Sequence, residues 1–96
     1  MFARTSTWSG DPAALDKWAE QVTSKVAPMV QSLAGNAGAV FLLDRAEGRA
    51  LTLTLWDSEP AALASDHAAE RSRASTIAAT GVELLDRGRY EVITRL

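Results

Sequence analysis

The chain of 96 residues has no cysteine, and that absence closes several routes at once. It can have no disulfide framework, no thiolate metal site and no thiol nucleophile. It has a single histidine, His67, which rules out a cage of several histidines around a metal within one chain. An excess of one charge is also missing. Ten basic residues face twelve acidic ones, for a net charge of −2, and the two signs are interspersed. That balance speaks against nucleic acid or an anionic membrane as the main partner. No apolar run approaches the ~18 residues of a membrane span, and Met1–Thr5 lacks the apolar stretch of a secretory signal. The expectation is one soluble, cytoplasmic domain spanning residues 1–96. Bulky core residues are few and alanines many, so part of the apolar surface is expected to be buried against a second subunit.

What is present is organised around Leu51-Thr52-Leu53-Thr54-Leu55-Trp56. Strict alternation is the period of a β-strand with two unlike faces. Asp57 and Ser58, followed by Glu59-Pro60, then open a helix by capping chemistry. Trp56 thus stands where a central strand hands over to a helix, a natural wall for a pocket.

Upstream, Phe2–Trp8 alternates as a strand, with Phe2, Arg4, Ser6 and Trp8 on one face. Ser9-Gly10 breaks it, and Asp11 with Pro12 starts a helix. Leu15, Trp18, Ala19, Val22, Val26, Met29, Val30 and Leu33 form one apolar stripe along that helix. Pro28 falls inside the stripe and predicts a kink or break near Ala27. Gly35–Gly38 ends the helix. Ala39–Arg45 is a strand that is apolar on both faces, with Phe41 and Leu43 opposite Val40 and Leu42, and the Ala46-Glu47-Gly48 turn joins it to Arg49–Trp56 as a hairpin.

A second helix runs to about Thr80, with Leu63, Ala64, His67, Ala68, Arg71, Ala74, Ile77 and Ala78 near one weak stripe and a break expected around Ser72. Gly81 ends it. Val82–Leu85 is strand or loop, Asp86-Arg87-Gly88 a turn or bulge, and Arg89–Arg95 the last strand.

The order β-α-β-β-α-β is the ferredoxin-like arrangement of the α+β class, an antiparallel sheet with both helices on one face. Its other face would carry Val40 or Phe41 and the strand-three leucines, an apolar patch that monomers rarely tolerate. A homodimer packing sheet on sheet is the simplest remedy.

Several stretches together carry a resemblance across essentially the whole chain: Phe2-Ala3-Arg4, Val26-Ala27-Pro28, Leu43-Asp44-Arg45 leading to Gly48, Leu55-Trp56-Asp57-Ser58-Glu59 with Ala61 and Ala62, and Arg89-Tyr90-Glu91-Val92. The chain resembles the antibiotic biosynthesis monooxygenase-like family of the dimeric α/β-barrel superfamily, most closely its small single-domain members. The resemblance implies a pocket between sheet and helices. Cofactor-independent quinone-forming members use a tryptophan at the end of strand three, with nearby tyrosine, asparagine and arginine. Trp56 matches the tryptophan, Thr52 stands where the asparagine is expected, and Ala61, Ala62 and Leu63 span the tyrosine position. Haem-degrading members use an asparagine in strand one, the same tryptophan and a helix histidine. Trp56 and His67 fit the last two, while Ser6 or Thr7 stands at the first.

Three functions follow. The first is oxidation by O2 of a flat, electron-rich aromatic with no metal or other cofactor, since such a substrate supplies its own electrons. In this reading Trp56, Tyr90, Phe41 and Trp8 bind the ring, while His67 and Arg4 handle the proton and the charge. The second is a non-catalytic homodimer, a small-ligand carrier or stress-response module. The third is haem binding through His67. Each residue also has a plain structural role: Trp56 as packing, His67 as a solvated helix residue, Tyr90 with its ring under the helices, Trp8 and Trp18 as core or groove aromatics. For Arg4 that role is an ion pair with Glu91 or Glu83. Glu70-Arg71-Ser72-Arg73 reads as a wet helix face.

Overall fold

A computed structural model describes all of residues 1–96. The elements are β1 (Phe2–Ser9), α1 (Pro12–Gln21), a π-helical turn (Val22–Val26), α2 (Ala27–Ser32), β2 (Asn36–Asp44), β3 (Arg49–Trp56), α3 (Glu59–Ala64), α4 (Asp66–Thr80) and β4 (Glu83–Glu91). The sheet is antiparallel with order β2-β3-β1-β4, and the helices pack on one of its faces. This is the ferredoxin-like α+β architecture.

Register settles the faces. Arg4 pairs with Thr54, Ser6 with Thr52 and Trp8 with Ala50, so these residues share the helix-covered side with Trp56. Phe41 opposite Thr52 and Leu43 opposite Ala50 join them. Leu51, Leu53 and Leu55 therefore point to the uncovered side, where Val40 and Leu42 are 47% and 49% exposed. The smaller alternate residues of β3 make room beneath the helices, and its leucines form half of the bare face.

α1 begins as its sequence dictates. The Asp11 side chain accepts a hydrogen bond from the Ala14 N–H at 2.8 Å, with Pro12 at the first helical position. The stripe buries Leu15, Trp18, Val22 and Val30, and Leu15 and Trp18 join Trp8, Ala50 and Val82 in the main core cluster. Pro28 neither breaks nor ends the helix. The turn before it widens instead, so that the Ala27 N–H bonds back to the Val22 carbonyl, five residues away. A wider turn relieves the collision between a proline ring and the preceding turn.

The second helical region breaks at Ser65, not around Ser72. Its inward face also differs from the stripe that hydrophobicity suggests. Thr76 and Thr80 are buried, while Ile77 is 39% and Leu63 45% exposed. Polar contacts set that rotation: Arg4 reaches Ser65 and Asp66 at the start of α4, and the Thr80 hydroxyl donates to the Thr76 carbonyl. Gly81 ends α4 in the left-handed conformation. The last strand lies earlier than the sequence suggests: β4 is Glu83–Glu91, with a register shift opposite Thr7 and Trp8, and residues 92–96 form no strand.

Two glycines test the backbone. Gly35 and Gly81 have φ of +80° and +81°, but a Cβ at Gly35 would lie 2.5 Å from the Ala61 Cβ, whereas at Gly81 it would meet nothing within 4 Å. Gly81→Ala should cost about 1 kcal/mol, from backbone strain alone. Gly35→Ala should cost about 2 kcal/mol or more, because overpacking adds to strain. Urea unfolding of the two variants side by side checks the difference.

Candidate active site

A cavity opens between the sheet and the helices. Its floor is Ser6, Trp8, Phe41, Thr52, Thr54 and Trp56; Trp18, Val22, Val26 and Met29 roof it, and α4 contributes Ser72, Arg73 and Thr76. Mouth included it measures about 540 Å³, of which only about 50 Å³ is wide enough for the centre of a water-sized sphere. The inner part is therefore a narrow slot, its shape set by flat indoles.

All three tryptophans line the cavity, and they differ in one respect. The Trp56 Nε1–H donates to Thr54 Oγ1 at 3.0 Å, two residues away on the same face. Trp8 Nε1 and Trp18 Nε1 are buried with no acceptor at all. Leaving a buried donor unpaired costs roughly 1–3 kcal/mol, so each of these indoles carries an unmet demand for an acceptor.

Arg4 forms the wall next to Trp56. Only 8% exposed, it donates from Nη1 to Ser65 Oγ at 2.6 Å and from Nη2 to the Ala62 carbonyl at 2.5 Å. Nη2 also pairs with Asp66, and the guanidinium carbon lies 6.0 Å from the centre of the Trp56 ring. So the ion-pair partner is Asp66 at the start of α4, not Glu91 or Glu83. Burial lowers the Arg4 pKa, Asp66 opposes that shift, and Arg73 and Arg89 add to it. An arginine remains charged through such a shift. The site thus has a fixed cation at its wall.

Arg73 contradicts the reading of Glu70–Arg73 as a wet face. It is half-buried and lines the cavity, because the inward stripe of α4 runs Asp66, Ala69, Arg73, Thr76, Thr80. Its pKa is lowered, first by burial and then by repulsion from Arg87.

Of the residues proposed from the sequence, Arg4, Trp56, Phe41 and Trp8 come together around the cavity. Two do not. His67 is exposed on α4 and belongs to neither the cavity nor the polar groove beside it, since it sits one residue past the inward Asp66. Tyr90 pairs across from Ala3, on the leucine side of the sheet, and is 57% exposed. Its ring lies over Gly88, where a Cβ would come within 2.6 Å of it. The phenol is therefore on the far side of the sheet from the cavity, not under the helices. No histidine, carboxylate or phenol lines the cavity, and no cluster of His, Asp or Glu suited to a metal occurs. Trp18 and Arg73 are the principal lining side chains left without a binding role by sequence reasoning. Trp18 was legible as an aromatic of the core or groove; Arg73 gave no signal.

The Asp66 tie can be tested against a surface pair. Asp66→Asn leaves buried Arg4 without its counter-ion, and because the Asp66 side chain is 52% exposed the expected cost is about 1–2 kcal/mol, below that of a fully buried pair. Asp16 pairs with Arg45 at 2.5 Å in the open, with side chains 66% and 61% exposed, and Asp16→Asn should change stability by less than about 0.5 kcal/mol. Chemical denaturation at fixed salt measures both.

No protein-family model matches the chain, and no curated protein matches it either. Solved structures do. A Deinococcus radiodurans protein described as an antibiotic biosynthesis monooxygenase superposes with a TM-score of 0.78 at 15% identity, over 100% of this chain and 96% of that one. A Streptomyces coelicolor monooxygenase, ActVA-Orf6, solved with nanaomycin D, gives 0.74 at 16% identity over 99% and 89%. SnoaB, a cofactor-independent oxygenase of Streptomyces nogalater, gives 0.70 at 16% identity over 99% and 95%. The chain has the fold of these antibiotic biosynthesis monooxygenase-type proteins.

Proposed function

We propose that this protein is a homodimeric, single-domain oxygenase of the antibiotic biosynthesis monooxygenase-like family, cytoplasmic, oxidising a flat aromatic substrate with O2 and no metal or flavin. One observation carries the reading: three indoles and Phe41 surround one slot, and two buried indole N–H groups beside it have no acceptor. A fused aromatic ring with a carbonyl or phenolic oxygen would fill such a slot and satisfy those donors. Met29 in the roof is a flexible side chain that can repack around a bound ring. Two structures of the same fold support it, the monooxygenase solved with nanaomycin D and the cofactor-independent SnoaB.

An anthrone-like substrate sets out the chemistry. Loss of one ring-methylene proton leaves an enolate that can give an electron to O2. One oxygen atom ends as the new carbonyl, and the other leaves with the two methylene hydrogens as water. With no histidine, carboxylate or phenol in the slot to take the proton, the protein acts by stabilising the anion: Arg4 and Arg73 lower the substrate's own pKa, the indole N–H groups hold its oxygen, and the proton passes to water. His67, on the outside of α4, takes no part, and Tyr90 serves the uncovered face. That face, with Val40, Leu42 and the three β3 leucines, is where a second copy packs.

Anthrone with the full-length protein should consume O2 well above the buffer rate. The pH profile should follow the ionisation of the substrate, with no histidine inflection between about pH 5 and 8. His67→Ala should retain its rate, and Trp56→Ala should lose at least about tenfold. Oxygen electrode traces equal to buffer for several anthrones and hydroquinones defeat the reading. If those compounds nevertheless quench the tryptophans, the protein is a small-ligand carrier, the second reading, which the lack of a base in the slot favours.

A further inference from the structure

Beside the slot lies a second, open groove of about 760 Å³, mouth included as for the slot, with no hydrophobic residue in its lining. It contains Arg4, Arg73, Arg87 and Arg89, against Asp66 and Glu70. Four arginines and two carboxylates in one groove are an unusual concentration for a chain with a net negative charge.

The strand register explains how the cations meet. Arg4 pairs across from Arg89, and Ser6 from Arg87, so Arg4, Arg87 and Arg89 stand on the helix-covered face of two neighbouring strands. Like charges directly opposite each other repel. Asp66 resolves this conflict, pairing through one oxygen with Arg4 and through the other with Arg89 at 3.4 Å. Arg73 of α4 and Arg87, which share the groove, have no such bridge. Arg73 and Arg87 make no salt bridge, neither one with Glu70 nor one with Asp66. After burial, repulsion from Arg87 is the largest influence lowering the Arg73 pKa, with Glu70 and Asp66 each acting against it. An oxyanion placed between Arg73 and Arg87 would do for that pair what Asp66 does for Arg4 and Arg89. The planar guanidinium fork suits a carboxylate.

Arg4 and Arg73 line the slot as well as the groove, so the two spaces share a wall and a single ligand can occupy both. We propose that the groove beside Arg73 and Arg87 is an anion subsite for the same ligand whose ring enters the slot, and that it takes a carboxylate carried on that ring. This rests on the reading of the slot as an aromatic site and narrows the substrate to an aromatic acid. Neutral aromatics of the same shape are discriminated against because they bring no anion to the Arg73 and Arg87 that line the groove.

Anthraquinone-2-carboxylate and anthraquinone-2-carboxamide test it, since they share ring and carbonyls and differ in charge. Binding to the full-length protein is read from quenching of Trp8, Trp18 and Trp56 and confirmed by calorimetry. The carboxylate should bind about tenfold or more tighter than the amide, as expected for a hydrogen bond to a charged group. Arg87→Gln and Arg73→Gln should each reduce that ratio to about threefold or less, with Arg73→Lys retaining more of it than Arg73→Gln. Equal binding of the two compounds to the wild type overturns the anion subsite while leaving the aromatic slot standing. A preference that survives both glutamine variants overturns it too. If neither compound binds, the slot reading fails and the subsite falls with it.

Discussion

The guanidinium of Arg4 ties the two halves of this structure together. It projects from β1, a central strand, and ends in the joint between α3 and α4, where the Ala62 carbonyl, Ser65 Oγ and Asp66 receive it. Burying a charge is costly unless it is paired and hydrogen-bonded, so the helical region has to present acceptors where Arg4 arrives. Three consequences follow. The helix breaks at Ser65, whose hydroxyl also donates to the Ala62 carbonyl at 2.8 Å. α4 turns its Asp66-Arg73-Thr76 side inward and leaves Ile77 outside. Trp56 receives a cation at its ring, so the wall of the cavity is both flat and positively charged.

The elements that were legible in the sequence are those whose hydrophobic pattern also sets their packing. The Leu15–Leu33 stripe, the strand hairpin and the order β-α-β-β-α-β come from periodicity, and so does the apolar back of the sheet. α4 was legible as a helix but not in its orientation, since its inward face is chosen by a charge more than sixty residues away in sequence and not by its own apolar residues. β4 shows the same limit. A one-residue change in pairing moves a side chain across the sheet, and the register with β1 puts Tyr90 on the far side while placing Arg87 and Arg89 beneath the helices. Pro28 was visible as an irregularity, but whether a helix breaks or widens at a proline depends on what its flanking turns pack against, here the cavity itself.

For the site, Trp56, Trp8 and Phe41 could be placed because strand ends and strand faces are readable, and Arg4 because it shares a face with Trp8. Arg73 could not, because a lone arginine in a charged run looks the same whether it faces water or a groove. Fold and function separate along the same line. Proteins 15–16% identical share the backbone arrangement closely, yet what this cavity can bind depends on its own indoles and arginines. The chemistry proposed for it, positioning and charge stabilisation, is the kind that its cations and N–H donors can supply.

The most direct measurement is amide hydrogen exchange on the full chain and on Arg4→Met, which keeps an unbranched apolar stem and removes the charge and the donors. If Arg4 holds the helical joint, protection across Asp66–Thr80 should fall by about tenfold or more, while Pro12–Gln21 and the central strands keep theirs. Unchanged protection in α4 would mean that the helix is held by its own packing, and that the buried guanidinium is a passenger in the structure.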